Sequence, residues 1–452
     1  MYTYQDLMAV GDDERQRMAF IQDAVKAHKN TRYYRIAKDA ELYDRRMNVT
    51  INKYVKVIYD LAGNAYSDPF QASHKLASGF FQRFVNQECQ YLLGEGVIFA
   101  DEATKERLGD DFDQEVMTAG HDALVGGVSF GFWNHDHLDV FRVTEFVPLY
   151  DEESGALAAG IRFWRVSDEK PRRYVLYELD GYTDYVRPRD GEMTVLHEKR
   201  PYVLHYAHND IDGTTIYDGE NYESFPIVPL WANMYRQSEL VGIKEDIDCY
   251  DLIKSGFAND IDQASLIYWL IEGAGGMDDL DLAQFLDRLK TVGAAAVGED
   301  QKVTAHTQDV PFEAREAYLT RLESDLYKDF QALDVSTLAG GQKTATEIKA
   351  AYEPLDRKAD LFENCVRRWL RDILALAGVD DTFTFKRVRI ENETEETQNV
   401  IMTAPLIGDE AAIRHIPWLT PDEVIDILEQ RDAEDYDRFH DNGADDNGDG
   451  EE

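Results

Sequence analysis

The sequence predicts an α+β protein, and three observations carry that prediction. Apolar residues recur at helical spacing through most of the first hundred positions. Between about Val128 and Tyr206, short runs of β-branched and aromatic residues alternate with turn clusters. From Glu239 onward, helical spacing returns in stretches much longer than an average helix. The 452 residues leave room for two or three cores at roughly 150 residues per domain. A hydrophobic content of 44% with 12% aromatic residues fits a packed protein, not a disordered one.

In chain order, DDERQRMAFIQDAVKAHKN opens on acids suited to a helix start. KLASGFFQRFVNQECQYLLGEG sets Leu76, Phe80, Phe84 and Leu92 near helical spacing, and Gly94 stops it. VSFGFW, LDVFRV, GIRFWRV and RRYVLYEL, separated by turn clusters such as DEESG and LDG, predict a β-meander. The proline-marked junction SFPIVPLW closes the sheet region.

Three long helices follow. Leu240, Ile243, Ile247, Tyr250, Phe257 and Ile261 alternate by three and four, interrupted at Lys254, and predict one straight helix over Glu239–Ala264. It would measure about 39 Å. Glu239, Glu245, Asp246, Asp248, Asp251, Asp260 and Asp262 share it with two lysines, so its exposed side is expected to be strongly negative. A compact insertion then offers a strand (SLIYWLIEG), a helix (DLAQFLDRLK) and a second strand (QKVTAHT) before Pro311. Leu319, Leu322, Leu326, Phe330 and Leu333 line one side of a second long helix, making the insertion a tip between two antiparallel legs. Beyond a polar, glycine-bearing stretch, Ile348, Tyr352, Leu355, Ala359, Phe362, Val366, Trp369 and Ile373 define a third long helix to about Ala377. Pro354 lies within it and is expected to kink it, because the apolar stripe continues on both sides. TFTFKRVRI reads as a further strand, TPDEVIDILEQRDAEDYDRF as a helix, and DNGADDNGDGEE as a disordered acidic tail.

The net charge of -41 disfavours tight binding of free duplex DNA, whose phosphates it repels. Cys89, Cys249 and Cys365 lie far apart with no C-x-x-C spacing, so neither a zinc site nor a disulfide framework is expected. The N-terminal MYTYQDLMAVGDDERQR lacks a signal-peptide core, and no apolar run nears the ~18 residues of a membrane-spanning helix. The expectation is a soluble protein made in the cytoplasm, without contact with a membrane.

DVSTLAGGQKTATEIKAAYEPL, residues 334–355, raises the possibility of a phosphate-gripping loop. A P-loop needs glycine directly before the lysine and at the loop's opening, where Gln342 and Thr337 stand. A nucleotide-binding enzyme using Gly340–Thr344 is therefore kept only as the alternative. Asn134-His135-Asp136-His137 carries metal-ligand types but reads better as a hairpin turn. Asp445, Asn447, Asp449 and Gly450 open like a calcium loop whose closing glutamate would fall beyond Glu452. No catalytic motif stands out, so no catalytic residue, metal or cofactor is assigned and no enzyme is expected.

The order of two legs, a small tip, a polar glycine loop and a proline-bearing helix resembles that of portal proteins of tailed double-stranded DNA bacteriophages, the SPP1-like portal family. KLASGFFQRFVNQECQYLLGEGV, FPIVPLWANMYRQSELVGIKEDIDCYDLIKSGFANDI and GGQKTATEIKAAYEPLDRKADLFENCVRRWL carry the resemblance across most of residues 70–390. It implies a wing over 1–237, stem helices over 238–264 and 311–333, a small α/β clip at 265–310, and a tunnel loop at 334–346. A kinked wing helix at 347–378, a wing strand at 379–392, a helical crown at 393–440 and the tail at 441–452 would complete the chain. The resemblance further implies a ring, expected to be a dodecamer, that passes double-stranded DNA during packaging and ejection. Expected partners are the terminase large subunit, major capsid and scaffold proteins, and a head-tail adaptor. The protein would reside at the virion's portal vertex after assembly in the host cytoplasm. Leu338, Gly340, Gly341, Gln342, Lys343 and Thr344 would form a mobile collar near DNA, Glu239, Glu245, Asp246 and Asp248 the acidic face of the stem, and Pro354 the kink. An acidic wall gives phosphates little to hold, which suits sliding better than clamping.

Overall fold

The computed structural model describes residues 2–54, 58–59, 65–66, 73–101, 103–209, 215–264, 268–272, 302–306, 312–338, 344–389, 400–405 and 408–414, with isolated positions between 416 and 430. They divide into two units: residues 1–333 with 354–387, and residues 334–353 with 388–452.

The first unit begins with α1 (Tyr4–Val10), α2 (Glu14–Asn30), α3 (Arg32–Asp44) and α4 (Val49–Lys53). Each start is capped: Thr3 and Asp6 form a reciprocal box, Asp13 accepts from two amides, Thr31 ends α2 while capping α3, and Asn48 caps α4. A short hairpin, β1 (Ile58–Tyr59) with β2 (Ala65–Tyr66), precedes α5 (Phe80–Leu93). Leu76, expected inside that helix, lies before it. The backbone there is held by side chains of a later helix instead of by its own turn.

After β3 (Val97–Phe99), α6 (Ala103–Leu108) and α7 (Phe112–Gly126), the sheet region runs through β4 (Val128–Asn134), β5 (His137–Arg142), β6 (Phe146–Tyr150), β7 (Leu157–Trp164), β8 (Arg172–Glu178), β9 (Gly181–Arg187) and β10 (Thr194–Arg200). The expected single meander is two sheets. Strands β6 to β10 form a consecutive antiparallel sheet of five, whereas β4 and β5 join β13 (Ile227–Trp231) in the order β13-β4-β5. The SFPIVPLW junction supplies this extra strand: Pro229 pairs with Phe130, and proline is tolerated because β13 is an edge. Between them, β11 (Val203–Asn209) and β12 (Thr215–Glu220) make a separate hairpin.

Two cores result for this part of the chain. Leu7, Phe20, Ile21 and Val25 of α1 and α2 pack on Val147, Leu149, Ile161 and Leu176 of the five-stranded sheet. Phe130, Phe141, Phe146 and Tyr177 fill the space between the two sheets.

The long helices are α8 (Lys244–Ala264), α9 (Phe312–Phe330) and α10 (Ala345–Leu376). Helix α8 starts five residues later than its apolar spacing predicted, because residues 239–243 form turns and Gly242 has φ +100°, a value no helix interior adopts. Leu240 and Ile243 are nonetheless buried, which is why they looked helical. The two strands expected in the tip are β14 (Tyr268–Glu272) and β15 (Lys302–His306), and they pair antiparallel; the helix expected between them lies outside the described residues.

Helix α10 runs through Pro354, and the division between the two units falls at that residue. Its first-unit part buries Phe362, Val366, Trp369 and Ile373 against Phe84, Leu92, Val116 and Leu124 of α5 and α7 in a third core. Trp369 Nε1 donates to the Val228 carbonyl of β13 at 3.1 Å. Of the expected wing strand, β16 (Phe383–Phe385) pairs with β3.

In the second unit, α10 begins two residues before the expected 347. Thr344 and Glu347 form a capping box: Glu347 Oε2 accepts from the Thr344 amide at 3.0 Å, and Thr344 Oγ1 accepts from the Glu347 amide at 3.2 Å. Asp334 caps a single 3-10 turn, Val335–Thr337, ahead of Leu338. Most of the expected crown is outside the described residues, apart from pieces such as α11 (Asp409–Arg414), and so is the acidic tail.

Candidate functional site

Helices α8 and α9 lie side by side and antiparallel. Asp260 pairs with Arg315 near one end, where Phe257 meets Phe312 edge-on at 5.5 Å. Toward the other end Asp246 faces Asp325 and Asp329, and these carboxylates with Glu245 add to burial in raising the Asp246 pKa above the usual range.

The other flank of α8 holds an extended segment. Asp251, Ser255 and Asn259 accept the backbone N–H groups of Ser78, Leu76 and His74 at 2.8, 2.9 and 2.6 Å. Four helical residues rise about 6.0 Å and two extended residues about 6.6 Å, so every fourth side chain meets every second amide. This matching was legible in principle as polar residues at 251, 255 and 259 interrupting a helix, but its partner segment carries no sequence signal of its own.

The four acids assigned to the stem face therefore do not form one exposed strip. Glu245 is exposed and Asp246 half-exposed. Asp248 turns toward α3 and α4, where Lys244 Nζ lies at 2.6 Å, Thr50 Oγ1 donates at 2.7 Å and Tyr43 donates as well. Burial works against its charge, but these donors outweigh it and hold its carboxyl below the usual range. Glu239 precedes the helix and points inward, accepting from Asn233 Nδ2 at 2.8 Å. The expected negative face is reduced to Glu245 and Asp246, joined by Asp325 and Asp329, because lysines neutralise the other two.

Glu239 belongs to a cluster absent from the sequence reading. Lys358 Nζ of α10 lies 2.8 Å from Glu239 Oε2, 3.0 Å from Glu88 Oε2 of α5 and 3.2 Å from the Phe330 carbonyl at the end of α9. It also sits 3.1 Å from the centroid of the Phe330 ring. Glu88 is 1% exposed; burial, opposed by Lys358 and reinforced by Glu239, pushes its carboxyl up to about 7. These residues border a cavity of about 310 Å³. One position away, Gln87 fixes Leu333, where the first unit's longer segment ends. The α9 exit is thus fastened from both α5 and α10.

Of the tunnel-loop assignment, Leu338 is half-buried and Thr344 is the α10 cap. Gly340, Gly341, Gln342 and Lys343 lie outside the described residues. The T-x-x-E spacing from Thr344 to Glu347 was the signal that could have placed the cap. Asn134 to His137 is the β4–β5 turn, with His135 at φ +63° and His137 Nδ1 2.7 Å from Asp136. Among the described residues no cluster of three metal-ligating side chains occurs, and no helix is long and apolar enough to cross a membrane.

The family model described as "Phage portal protein, SPP1 Gp6-like" matches residues 22–437. The portal protein of Bacillus phage SPP1 is 26% identical over 461 residues, covering 93% of this chain and 86% of the relative. The portal protein of Clostridium phage phiCD119 is 23% identical over 379 residues, covering 77% and 82%. Among solved structures, a chain in the neck of an empty GTA particle aligns with 9% identity and a TM-score of 0.43, covering 74% of this chain and 87% of its own. One in the neck of the native GTA particle aligns with 11% identity and a TM-score of 0.42, covering 77% and 89%.

Proposed function

The chain belongs to the SPP1 Gp6-like phage portal protein family, is a portal vertex component of a phage virion, and on that basis we propose how its parts divide the work. Twelve copies form a ring around an axial passage for double-stranded DNA. Helices α8 and α9 serve as stem legs, residues 265–310 as the clip, and residues 334–346 as the tunnel loop beside the duplex. Glu245 and Asp246 contribute negative charge along the stem, and Gly340, Gly341, Gln342 and Lys343 contact DNA transiently. Pro354 lets α10 bend without breaking its apolar stripe. The ring docks the terminase large subunit on one side and head-tail adaptor proteins on the other, after assembling with capsid and scaffold proteins in the host cytoplasm. ATP chemistry resides in the motor partner.

The observation that carries this division is the fastening of the α9 exit by Gln87 and Lys358 immediately before residue 334. A rigid leg ending at a fixed root, followed by a polar segment and a capped helix, is the mechanical layout a channel loop requires. The nucleotide-enzyme alternative finds no support in the comparisons.

Electron microscopy and mass measurement of the purified protein test the reading. The expected species is a ring with an axial opening and a mass of about 620 kDa, twelve times the 51.8 kDa chain. A solid particle without an opening would sink it. Nucleotide binding abolished by Lys343→Ala would restore the enzyme alternative.

A further inference from the structure

One surface runs against the charge of the whole chain. At one end of the five-stranded sheet, Arg165, Lys170, Arg172, Arg187 and Arg189 line a cleft of about 250 Å³ with Pro188, and no carboxylate of the described residues lines it. An adjoining cavity of about 270 Å³ shares Arg165 and Arg172 and adds Lys29 and Arg173, against the carboxylates of Glu145 and Asp168.

Strand pairing enforces this crowding. The β8–β9 register sets Arg172 directly opposite Arg187, a like-charge pair that destabilises a sheet. Arg165 closes the β7–β8 turn by donating Nε to the Lys170 carbonyl at 2.9 Å. Its ion pair with Asp168, at 3.2 Å, involves a fully exposed carboxylate and neutralises little. Arg187 donates to Gln22 Oε1 at 2.9 Å, an uncharged acceptor. Lys29 is held below its usual pKa by burial first, then by Arg172 and Lys38. In a chain with net charge -41, acids to relieve this repulsion are abundant, yet the fold leaves the cleft cationic.

We infer that this cleft binds the phosphate backbone of duplex DNA, as a contact separate from the tunnel-loop residues. Four of its five cations are arginines, whose forked donors match phosphate oxygens two at a time. The cations continue across two adjoining cavities, a track suited to a polymer carrying one charge per ~1.7 Å of duplex axis. Among the described residues the cleft itself offers an acidic peptide no apolar anchor but Pro188; Phe163, Trp164 and Tyr174 stand in the adjoining cavity, so a comparison with poly-glutamate decides between the two occupants. The repulsion from the rest of the chain is screened beyond about 8 to 10 Å at physiological salt, so the local cations govern contact.

The test titrates the assembled full-length protein with a short fluorescent duplex across a range of salt concentrations. Binding at low salt is expected to weaken with a log–log slope of about -4, as roughly 0.9 counterion is released per phosphate engaged. Arg172→Ala with Arg189→Ala should weaken low-salt binding at least about tenfold and flatten the slope by about 2, while Arg172→Lys with Arg189→Lys should keep the slope. Arg172 is exposed at the start of β8 and Arg189 in the turn after β9, and an unchanged assembly mass checks that the variants fold. An unchanged slope in the alanine pair, or no duplex binding at low salt, would overturn the inference. So would tighter, arginine-dependent binding of poly-glutamate, which would assign the cleft to an acidic protein segment.

Discussion

Gln87 and Leu333 exchange two hydrogen bonds: the Gln87 amide nitrogen donates to the Leu333 carbonyl and its oxygen accepts the Leu333 N–H, both at 2.9 Å. The side chain thereby mimics a strand neighbour for a single residue and ties α5 to the end of the leg leading toward residue 334. Gln87→Ala should remove both bonds, costing on the order of 1–3 kcal/mol. Its clearest readout is hydrogen exchange: peptides covering 331–338 should exchange faster while peptides of α7 do not change. Equal protection in the variant would show that Lys358 alone holds this root.

Among the described residues, Lys358 alone meets both carboxylates at that root, Glu88 and Glu239. Lys358→Ala should destabilise the subunit by about 3–5 kcal/mol, because it strands buried charge. Replacing the cluster together, Glu88→Gln with Lys358→Met, should recover most of that loss in urea unfolding. The pH dependence has a definite sign. Because the folded-state pKa of Glu88 is raised to about 7, its contribution is fully present below its ordinary value of 4.5 and disappears as pH rises through 7. Glu88→Gln should therefore gain stability relative to the parent between pH 4.5 and 7.5. A difference independent of pH would mean that Glu88 is charged throughout.

The long apolar stripes made the three main helices legible, since Phe362, Val366 and Trp369 had to share a face and do so in the core. Their ends were not. Leu240 and Ile243 are buried at helical spacing although Gly242 turns the chain, because burial follows the face a residue presents and not the backbone state that presents it. The strands were legible, but their grouping was not, since the pairing of Ile227–Trp231 with β4 depends on contacts distant in sequence. Lys358 and Glu88 were invisible for a related reason. A lone charge beside an apolar stripe reads as solvated until folding brings its partner from another helix. The acidity of residues 239–264 misled in the same way, because counting charges cannot show that Lys244 and Lys358 face two of the acids.

His121 provides a second titrating group, away from the stem root. Its Nε2 lies 3.4 Å from Asp44 and its Nδ1 3.6 Å from Asp122. Burial lowers its pKa, but Asp122 and Asp44 outweigh that and raise it to about 9. A raised histidine stabilises fully below its ordinary pKa of 6.5 and loses that contribution as pH climbs through 9. His121→Gln should thus melt lower than the parent at pH 6, by an amount on the order of 2 kcal/mol after allowing for solvent screening. The two melting curves should converge by pH 9.5. Parallel curves across that range would place the imidazole outside the ion cluster.

Gly127 fixes where the turn before α8 meets the end of α7. It has φ +86°, and a methyl group there would come 2.7 Å from the Ser238 nitrogen and 2.8 Å from the Gln237 carbonyl carbon, both backbone atoms that cannot rotate away. Gly127→Ala should therefore add a backbone clash to the cost of a left-handed alanine and destabilise by more than about 3 kcal/mol. Gly155→Ala separates the two effects, because Gly155 has φ +69° with nothing within 4 Å of the added carbon, so its loss should stay near 1 kcal/mol. Displacing Gln237 and Ser238 would also shift Glu239, whose N–H donates to the Leu124 carbonyl at 3.0 Å. The Gly127 variant should consequently flatten the pH dependence assigned to Glu88, since Glu239 is part of what raises it. Equal melting losses in the two variants would show that the turn relaxes freely and that α7 does not set the position of Glu239.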